Sequence, residues 1–116
     1  MKVAILGASP KPVRYSYQAQ LLLSEHGHEV FPVSPTGREI LGVAGMTKVP
    51  SEMDTVTLYL GPDRLLPMLD ALIEAAPRRV IFNPGTESSE AKERLEAAGI
   101  ETEEACTLVM LRTGSF

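Results

Sequence analysis

The stretch VAILGAS at residues 3–9 joins a short apolar run to a glycine and two small residues. The four consecutive apolar side chains of Val3–Leu6 are typical of a strand that is buried on both faces of a parallel sheet. Gly7 marks the end of that strand. Because open parallel sheets bind ligands outside the carboxyl ends of their strands, Gly7, Ala8 and Ser9 are the first candidate binding residues.

The rest of the chain alternates strand patterns with helical ones. The first predicted elements are a helix capped by Ser16 and ending at Gly27, and a strand at Glu29–Val33. Next come a strand at Thr55–Leu60 and a helix running to Ala76, with Pro67 in its first turn. The last elements are a strand at Arg79–Phe82, a helix capped by Ser88 or Thr86 and ending at Gly99, and a short strand around Ile100–Thr102. Residues 34–53 are expected to form only short strand or turn pieces. This order predicts an α/β, Rossmann-like, doubly wound parallel sheet of about five strands with helices on both faces.

Composition restricts the classes of function. The 116 residues are 44% hydrophobic and 22% charged, which favours a single globular domain over residues 1–116. The net charge of −4 argues against nucleic acid as a partner, since phosphate neutralisation needs a basic excess. No apolar run approaches the roughly 20 residues of a membrane span. Cys106, the one cysteine, has no partner for an internal disulfide, so we expect a soluble cytoplasmic protein.

The loop after the first strand resembles a dinucleotide-binding loop only in part. That fingerprint needs three glycines in the pattern Gly-x-Gly-x-x-Gly, and its positions here hold Gly7, Ser9 and Pro12. The glycine that allows the strand to turn is present, and the other two are replaced. A standard NAD-binding loop is therefore not predicted.

The same loop nevertheless favours a phosphate group. Its backbone amides lead into the positive end of a helix predicted to begin near Ser16. Lys11 and Arg14 add cationic donors. We expect the loop to hold an anionic ligand.

The residues after the second strand narrow the ligand further. An NAD site needs an Asp or Glu there to hold the ribose 2′-hydroxyl, and SPTGR at residues 34–38 offers no acid. Arg38 instead provides a cation. This combination suits an adenosine that carries a ribose phosphate, and two cofactors fit it: NADP and coenzyme A.

The chain resembles the small stand-alone CoA-binding domain proteins, which are similar to the CoA-binding domain of the succinyl-CoA synthetase α subunit. The matching pieces are Gly7–Ser9, Lys11-Pro12, Arg14, Ser16, Gly27, Val30–Pro35, Leu41-Gly42, Asp54–Val56 and Leu60–Pro62. Two features depart from the family pattern. Ser34 stands where the family usually has Asn, and ACTLV at residues 105–109 replaces an ending around Arg-Cys-Pro.

The resemblance implies that coenzyme A lies over the carboxyl edge of the sheet. By this resemblance, the pyrophosphate meets Gly7, Ala8, Ser9 and Ser16, and phosphate charge meets Lys11, Arg14 or Arg38. The adenosine lies beside Val33, Ser34 and Pro35. The pantetheine arm lies beside Leu60, Gly61, Pro62, Asn83 and Pro84. Among the three cations, we predict that Arg38 meets the ribose phosphate. The sequence leaves open whether a second copy of the chain or another protein is also a partner.

No set of residues in the sequence indicates a reaction. His26 and His28 flank Gly27 at a predicted helix end, and neither is expected at the ligand edge or in a metal site. We therefore expect a protein that binds CoA or an acyl-CoA without evident catalysis. Two alternatives stay open. An NADP-dependent oxidoreductase would need a proton donor such as Tyr15, Tyr17 or Tyr59 at the crevice, and a degenerate Rossmann domain would act only as an interaction module.

Overall fold

The computed structural model describes Met1–Phe116 and contains one sheet of five strands, all parallel, in the order β2-β1-β3-β4-β5. The strands are β1 (Lys2–Leu6), β2 (Glu29–Val33), β3 (Thr55–Leu58), β4 (Arg79–Phe82) and β5 (Glu101–Glu104). The predicted parallel sheet of about five strands is confirmed.

Helices cover both faces of this sheet, as predicted for a doubly wound fold. They are α1 (Tyr15–Glu25), α2 (Pro62–Leu65), a 3₁₀ turn (Leu66–Met68), α3 (Leu69–Ala75), α4 (Ser89–Ala97) and α5 (Thr107–Thr113). Leu23 of α1 and Leu111 of α5 belong to one buried cluster, and the side chains of α2, α3 and α4 belong to another. None of these helices has the length and apolar character needed to cross a bilayer.

Strand β1 has an uninterrupted apolar sequence because both of its faces are buried. Successive side chains of a strand point to opposite faces of the sheet. Val3 and Ile5 pack in the cluster that contains α1 and α5, whereas Ala4 and Leu6 pack in the cluster of α2, α3 and α4. All four are at most 1% exposed. Burial on both faces is what requires four apolar residues in a row.

The segment after β3 differs from the single helix predicted there. Strand β3 ends at Leu58, two residues earlier than predicted, and the helix is divided into α2, the 3₁₀ turn and α3. Pro67 lies at the start of the 3₁₀ turn. Proline has no N–H and its ring clashes with the preceding helical turn, so a continuous helix through this position is disfavoured.

The helix ends confirm one predicted cap and correct another. Ser88 caps α4 and accepts a hydrogen bond from the Ala91 N–H at 3.2 Å, as predicted. The prediction that Ser16 caps α1 was wrong: the capping position is Arg14, which supplies no side-chain hydrogen bond, and Ser16 is the second residue of the helix.

Two further regions can be compared with the sequence prediction: residues 34–53 agree with it, and the end of the chain differs from it. Residues 34–53 form only isolated bridges, Val33 with Met46 and Ile40 with Val43, in agreement with the expected short pieces. The last strand is shifted to Glu101–Glu104, and α5, which follows it, was not predicted. Helix α5 has only 7 residues and its sequence TLVMLRT is apolar on most sides, so it shows little helical periodicity.

An ion-pair cluster joins the starts of β3, β4 and β5 at the amino edge of the sheet. The Arg78 Nε donates to Asp54 Oδ2 at 2.8 Å, and its Nη1 donates to Glu101 Oε2 at 3.1 Å. The hydrogen bond from Arg78 lowers the pKa of Asp54 to about 2. Surface ion pairs therefore stabilise the amino edge of the sheet. The expected ligand edge is the carboxyl edge, at the other end of the strands.

At the carboxyl edge, the side chain of Asn83 joins three elements. Its Nδ2 donates to Thr57 Oγ1 at 2.6 Å and to the Leu58 carbonyl at 2.8 Å, while its Oδ1 accepts from the Thr107 N–H at 2.9 Å. The hydroxyls of Thr57 and Thr107 are 2.8 Å apart. All of these groups are buried. Asn83 therefore fastens the end of β3 and the first turn of α5 to the end of β4.

We expect Asn83→Ala to lower the free energy of unfolding by about 2–4 kcal/mol, because each buried group left without a partner costs about 1–3 kcal/mol. Urea denaturation monitored by circular dichroism measures this loss. Gln18→Ala removes an amide from the half-buried side of α1 and serves as the control, with an expected change within about 0.5 kcal/mol. Equal losses in the two variants would contradict the role given to Asn83.

Candidate functional site

A crevice of about 420 Å³ opens at the carboxyl edge of the sheet, between the loop after β1 and the loops after β3 and β4. Chain connections diverge at this point, since β1 lies between β2 and β3 in the sheet. In the strand order 2-1-3-4-5, ligands bind at the switch point between the first and third strands. The crevice is lined by Gly7, Ala8, Ser9, Lys11, Arg14, Tyr15, Ser16, Pro35, Tyr59, Leu60, Gly61, Arg64, Pro84, Gly85 and Thr86.

A second cavity of about 420 Å³ adjoins the crevice beside the end of β2. Its walls are mainly apolar, and they are formed by Leu6, Gly7, Val33, Ser34, Pro35, Thr47, Leu60, Arg64 and Met68. The residues common to both cavities are Gly7, Pro35, Leu60 and Arg64. We call these four residues the shared boundary. The two cavities therefore adjoin at the shared boundary, and we call the crevice the polar half and the second cavity the apolar half of the candidate site.

The first turn of α1 offers free hydrogen-bond donors to the crevice. The first four N–H groups of a helix have no partner inside the helix. Arg14 provides no side-chain cap, and the N–H groups of Tyr15 and Ser16 form no hydrogen bond within the protein. The N–H of Ser9 is also free. The amides of Tyr15 and Ser16 lie at the positive end of the α1 dipole, a position that suits an anion.

Ser16 adds a side-chain donor at the same place. The residue is only 4% exposed, lines the crevice, and its hydroxyl forms no hydrogen bond within the protein. The fully buried side-chain atoms without a partner belong to Gln20, Tyr59 and Arg79, so the Ser16 hydroxyl is accessible from the crevice. Ser16 therefore does not have the capping role predicted for it, and it offers a free hydroxyl at the crevice.

The charged residues that line the crevice are all cations. Lys11, Arg14 and Arg64 line it, and the lining includes no Asp, Glu, His or Cys. The protein as a whole carries a net charge of −4. The positive charge at this edge is thus a local feature, and it favours an anionic ligand.

The three tyrosines considered as proton donors differ in their surroundings. Tyr59 lines the crevice, but its hydroxyl is buried without a hydrogen-bond partner, and burial raises its pKa to about 12. Tyr17 is half-buried and packs against the α1–α5 side of the core. Tyr15 is exposed at the crevice rim. Only Tyr15 presents its side chain openly at this edge.

Gly7 allows the end of β1 to pass close to the end of β3. Its φ is +96°, and a Cβ on it would lie 2.9 Å from Leu60 Cδ2 and 3.0 Å from the Tyr59 carbonyl carbon. The Gly7 and Ala8 N–H groups both donate to the Val33 carbonyl at 3.0 Å. The loop is therefore held against β2 and β3 at once, and a side chain at Gly7 has no room.

The structure brings most of the predicted binding residues to the two cavities. Gly7, Ala8, Ser9, Lys11, Arg14, Ser16, Pro35, Leu60, Gly61 and Pro84 line the crevice, and Val33 and Ser34 line the adjoining cavity. Arg38, Pro62 and Asn83 line neither. Arg38 is exposed in the loop after β2, and the Asn83 amide is committed to the hydrogen bonds that join β3, β4 and α5.

Sequence reasoning did not include several residues that the fold brings to the site. Arg64 lines both cavities, and Thr47 and Met68 line the apolar one. Arg64 had a usable signal, since it is a cation shortly after the Gly61-Pro62 strand end. Thr47 comes from a segment without periodicity, and nothing in its sequence indicates that it reaches the ligand edge.

The histidines lie away from this site. His26 Nδ1 is 2.9 Å from the Leu22 carbonyl at the end of α1, and His28 Nδ1 is 3.2 Å from the Met1 amino group. Cys106 is half-buried at the capping position of α5. No group of three or more His, Cys, Asp or Glu side chains is arranged to hold a metal ion.

Comparison with known proteins assigns the family. The family described as "CoA binding domain" matches residues 1–112. A crystal structure of an uncharacterized protein superimposes with a TM-score of 0.93 at 45% identity, covering 99% of this chain and 97% of that one. Uncharacterized protein YneT of Bacillus subtilis (strain 168) is 25% identical over 101 residues, 84% of this chain and 75% of that protein.

A larger enzyme contains the same fold as one part. The dinucleotide forming acetyl-coenzyme A synthetase 1 of Ca. Korarchaeum cryptofilum superimposes with a TM-score of 0.75 at 23% identity, over 90% of this chain but 25% of that one. The protein described here belongs to the CoA-binding domain family. Family membership supports CoA binding in general, and the resemblance drawn from the sequence is confirmed.

We expect Gly7→Ala to destabilise the protein by at least about 1 kcal/mol more than Gly42→Ala, since overpacking a well-packed position typically costs about 1–3 kcal/mol. Gly42 is a matched control: its φ is +75° and nothing lies within 4 Å of an added Cβ, so it reports the cost of positive φ alone. Chemical denaturation of both variants measures the difference. Equal destabilisation would contradict the close approach of β1 and β3 at Gly7.

Proposed function

We propose that residues 1–116 act as a single CoA-binding domain, which holds coenzyme A or an acyl-CoA in the crevice and its adjoining cavity. The observation that carries this proposal is the uncapped first turn of α1, with the unpaired hydroxyl of Ser16 at the crevice beside it. These groups lie in a crevice with three cations and no carboxylate. Free amides, a hydroxyl donor and positive charge together suit a pyrophosphate.

The polar half of the site takes the pyrophosphate in this proposal. Gly7, Ala8 and Ser9 bring the backbone close, because Gly7 carries no side chain between β1 and β3. Ser16 donates its hydroxyl, and Arg14 and Lys11 contribute charge from the same loop. The ligand replaces the cap that α1 lacks.

The apolar half takes the adenosine. Val33, Ser34 and Pro35 form its wall at the end of β2, and Leu60 and Met68 face them from the segment after β3. An adenine ring needs flat apolar walls with few polar groups, and this cavity provides them. Val33 is fully buried, so the wall is part of the core and holds its shape.

The pantetheine arm extends the other way, past Leu60, Gly61 and Pro84. Small and cyclic residues leave their backbone accessible to the amides of the arm. Pro62 and Asn83 line neither cavity. Asn83 holds the ends of β3 and β4 at a fixed separation.

Two features favour CoA over NAD. The crevice and the cavity contain no carboxylate to accept hydrogen bonds from a ribose diol. Ser34, at the position where that acid would be expected, is 9% exposed, and its hydroxyl is 3.4 Å from the Thr36 hydroxyl. A ribose that carries a phosphate suits the shared boundary, which contains Arg64, better than a ribose with a free diol does.

Binding without catalysis is favoured by the groups that the crevice contains. General acid–base catalysis needs a group whose pKa lies near the working pH. The lining has no His, Asp, Glu or Cys, and the pKa of Tyr59 is raised to about 12. Apart from Tyr15, which is exposed at the rim, the lining has no evident group to move a proton, and its residues suit the binding and orientation of an anionic cofactor.

Calorimetric titration with CoA, dephospho-CoA, NADP and NAD tests the proposed ligand. We expect CoA to bind most tightly, dephospho-CoA at least about tenfold more weakly because it lacks the ribose phosphate, and NAD weakest. Tighter binding of NADP than of CoA would contradict the assignment and favour an oxidoreductase. Acetyl-CoA incubated with the protein should be recovered unchanged, and its hydrolysis would contradict a purely binding role.

Ser16→Ala tests the pyrophosphate position. We expect the variant to bind CoA and dephospho-CoA about tenfold more weakly, since a hydrogen bond to a charged group is worth about 1.5–3 kcal/mol. Ser24→Ala, an exposed serine on the same helix, is the control and should leave both affinities unchanged. Unchanged CoA affinity in a folded Ser16→Ala protein would move the pyrophosphate away from α1.

A further inference from the structure

We infer that Arg64, and not Arg38, binds the ribose phosphate of the ligand and sets selectivity for ligands that carry that phosphate. This inference rests on the proposed function, and it adds the residue that makes the site distinguish CoA from dephospho-CoA. It replaces the sequence-based choice of Arg38.

The order of groups along CoA determines which residues the ribose phosphate meets. In CoA the phosphorylated ribose lies between the pyrophosphate and the adenine. With the pyrophosphate in the crevice and the adenine in the apolar cavity, the ribose must cross the shared boundary. Of the four residues that line both cavities, three are uncharged and Arg64 is the only cation. A phosphate on that ribose therefore meets Arg64.

The other cations are less well placed for this role. Lys11 and Arg14 line only the crevice, on the side of the first loop, where the pyrophosphate already requires them. Arg38 lines neither cavity and is exposed.

The first turn after β3 holds Arg64 beside both cavities. The N–H groups of Arg64 and Leu65 both donate to the Gly61 carbonyl, at 3.1 and 3.0 Å, which sets the first turn after β3. Leu65 is fully buried in the core and anchors that turn. Arg64 itself is exposed and forms no salt bridge within the protein, so its guanidinium is free for a ligand. A planar guanidinium suits bidentate binding of a phosphate.

The test compares Arg64→Gln with Arg38→Gln, using CoA and dephospho-CoA in calorimetric titrations of the full chain. Both arginines are exposed, so neither variant should lose its fold, and thermal unfolding verifies this. We expect Arg64→Gln to weaken CoA about tenfold or more and dephospho-CoA less than about threefold. Arg38→Gln should leave both affinities unchanged. Raising the salt concentration should weaken CoA more in the wild type than in Arg64→Gln, because exposed charge is screened.

The outcomes separate this inference from the proposed function. A wild-type protein that binds neither ligand overturns the proposed function, and the inference falls with it. A wild-type protein that binds both, with Arg64→Gln weakening the two alike, places Arg64 at the pyrophosphate and overturns the inference alone. Selective weakening of CoA by Arg38→Gln also overturns it and restores the choice made from the sequence. Loss of selectivity in Arg64→Gln alone supports it.

Discussion

The contact between Gly7 and the backbone of Tyr59 is the constraint on which the ligand edge depends. Strands β1 and β3 are neighbours in the sheet, yet the helices that follow them cover opposite faces. Their ends must therefore come together and then separate, and this leaves a crevice between them. A residue without a side chain fits best there, since a Cβ on Gly7 would lie 3.0 Å from the Tyr59 carbonyl carbon and the φ of Gly7 is +96°. The crevice is thus a consequence of the strand order, and Gly7 is the residue that permits it.

The polar groups at this edge are divided between structural and free ones. Asn83 uses its amide within the fold, where every bond it makes is to another buried group. The first turn of α1 does the opposite: the N–H groups of Tyr15 and Ser16, and the hydroxyl of Ser16, have no partner in the protein. A missing cap costs about 0.5–2 kcal/mol of stability. A bound anion offsets that cost, so ligand binding and the stability of α1 are coupled. Departures from good local structure are expected at functional sites for this reason.

Most of the fold was predictable because it depends on burial. The apolar runs of β1 and β4 are buried on both faces, and a pattern of that kind identifies a strand from sequence alone. The failures have local causes. Strand β5 reads ETEE and is an edge strand without a buried run, so its bounds could not be predicted well. Helix α5 is short and nearly uniform in hydrophobicity. Pro67 divides a segment whose leucines have helical spacing, and the exact place of the break depends on packing.

The residues of the candidate site also divide into those that the sequence predicts and those that it does not. Residues contributed by the ends of strands were predictable, because all parallel strands deliver their carboxyl ends to one edge. Arg38 and Arg64 show the limit of that rule. Each is a cation shortly after a strand end, and the sequence favours Arg38 because it follows the strand whose end is expected to border the adenosine. The hydrogen bond from Arg64 N–H to the Gly61 carbonyl keeps its chain beside the crevice, whereas Arg38 lines neither cavity. A strand end predicts which edge a side chain lies near, but the first turn after the strand decides whether it reaches the ligand.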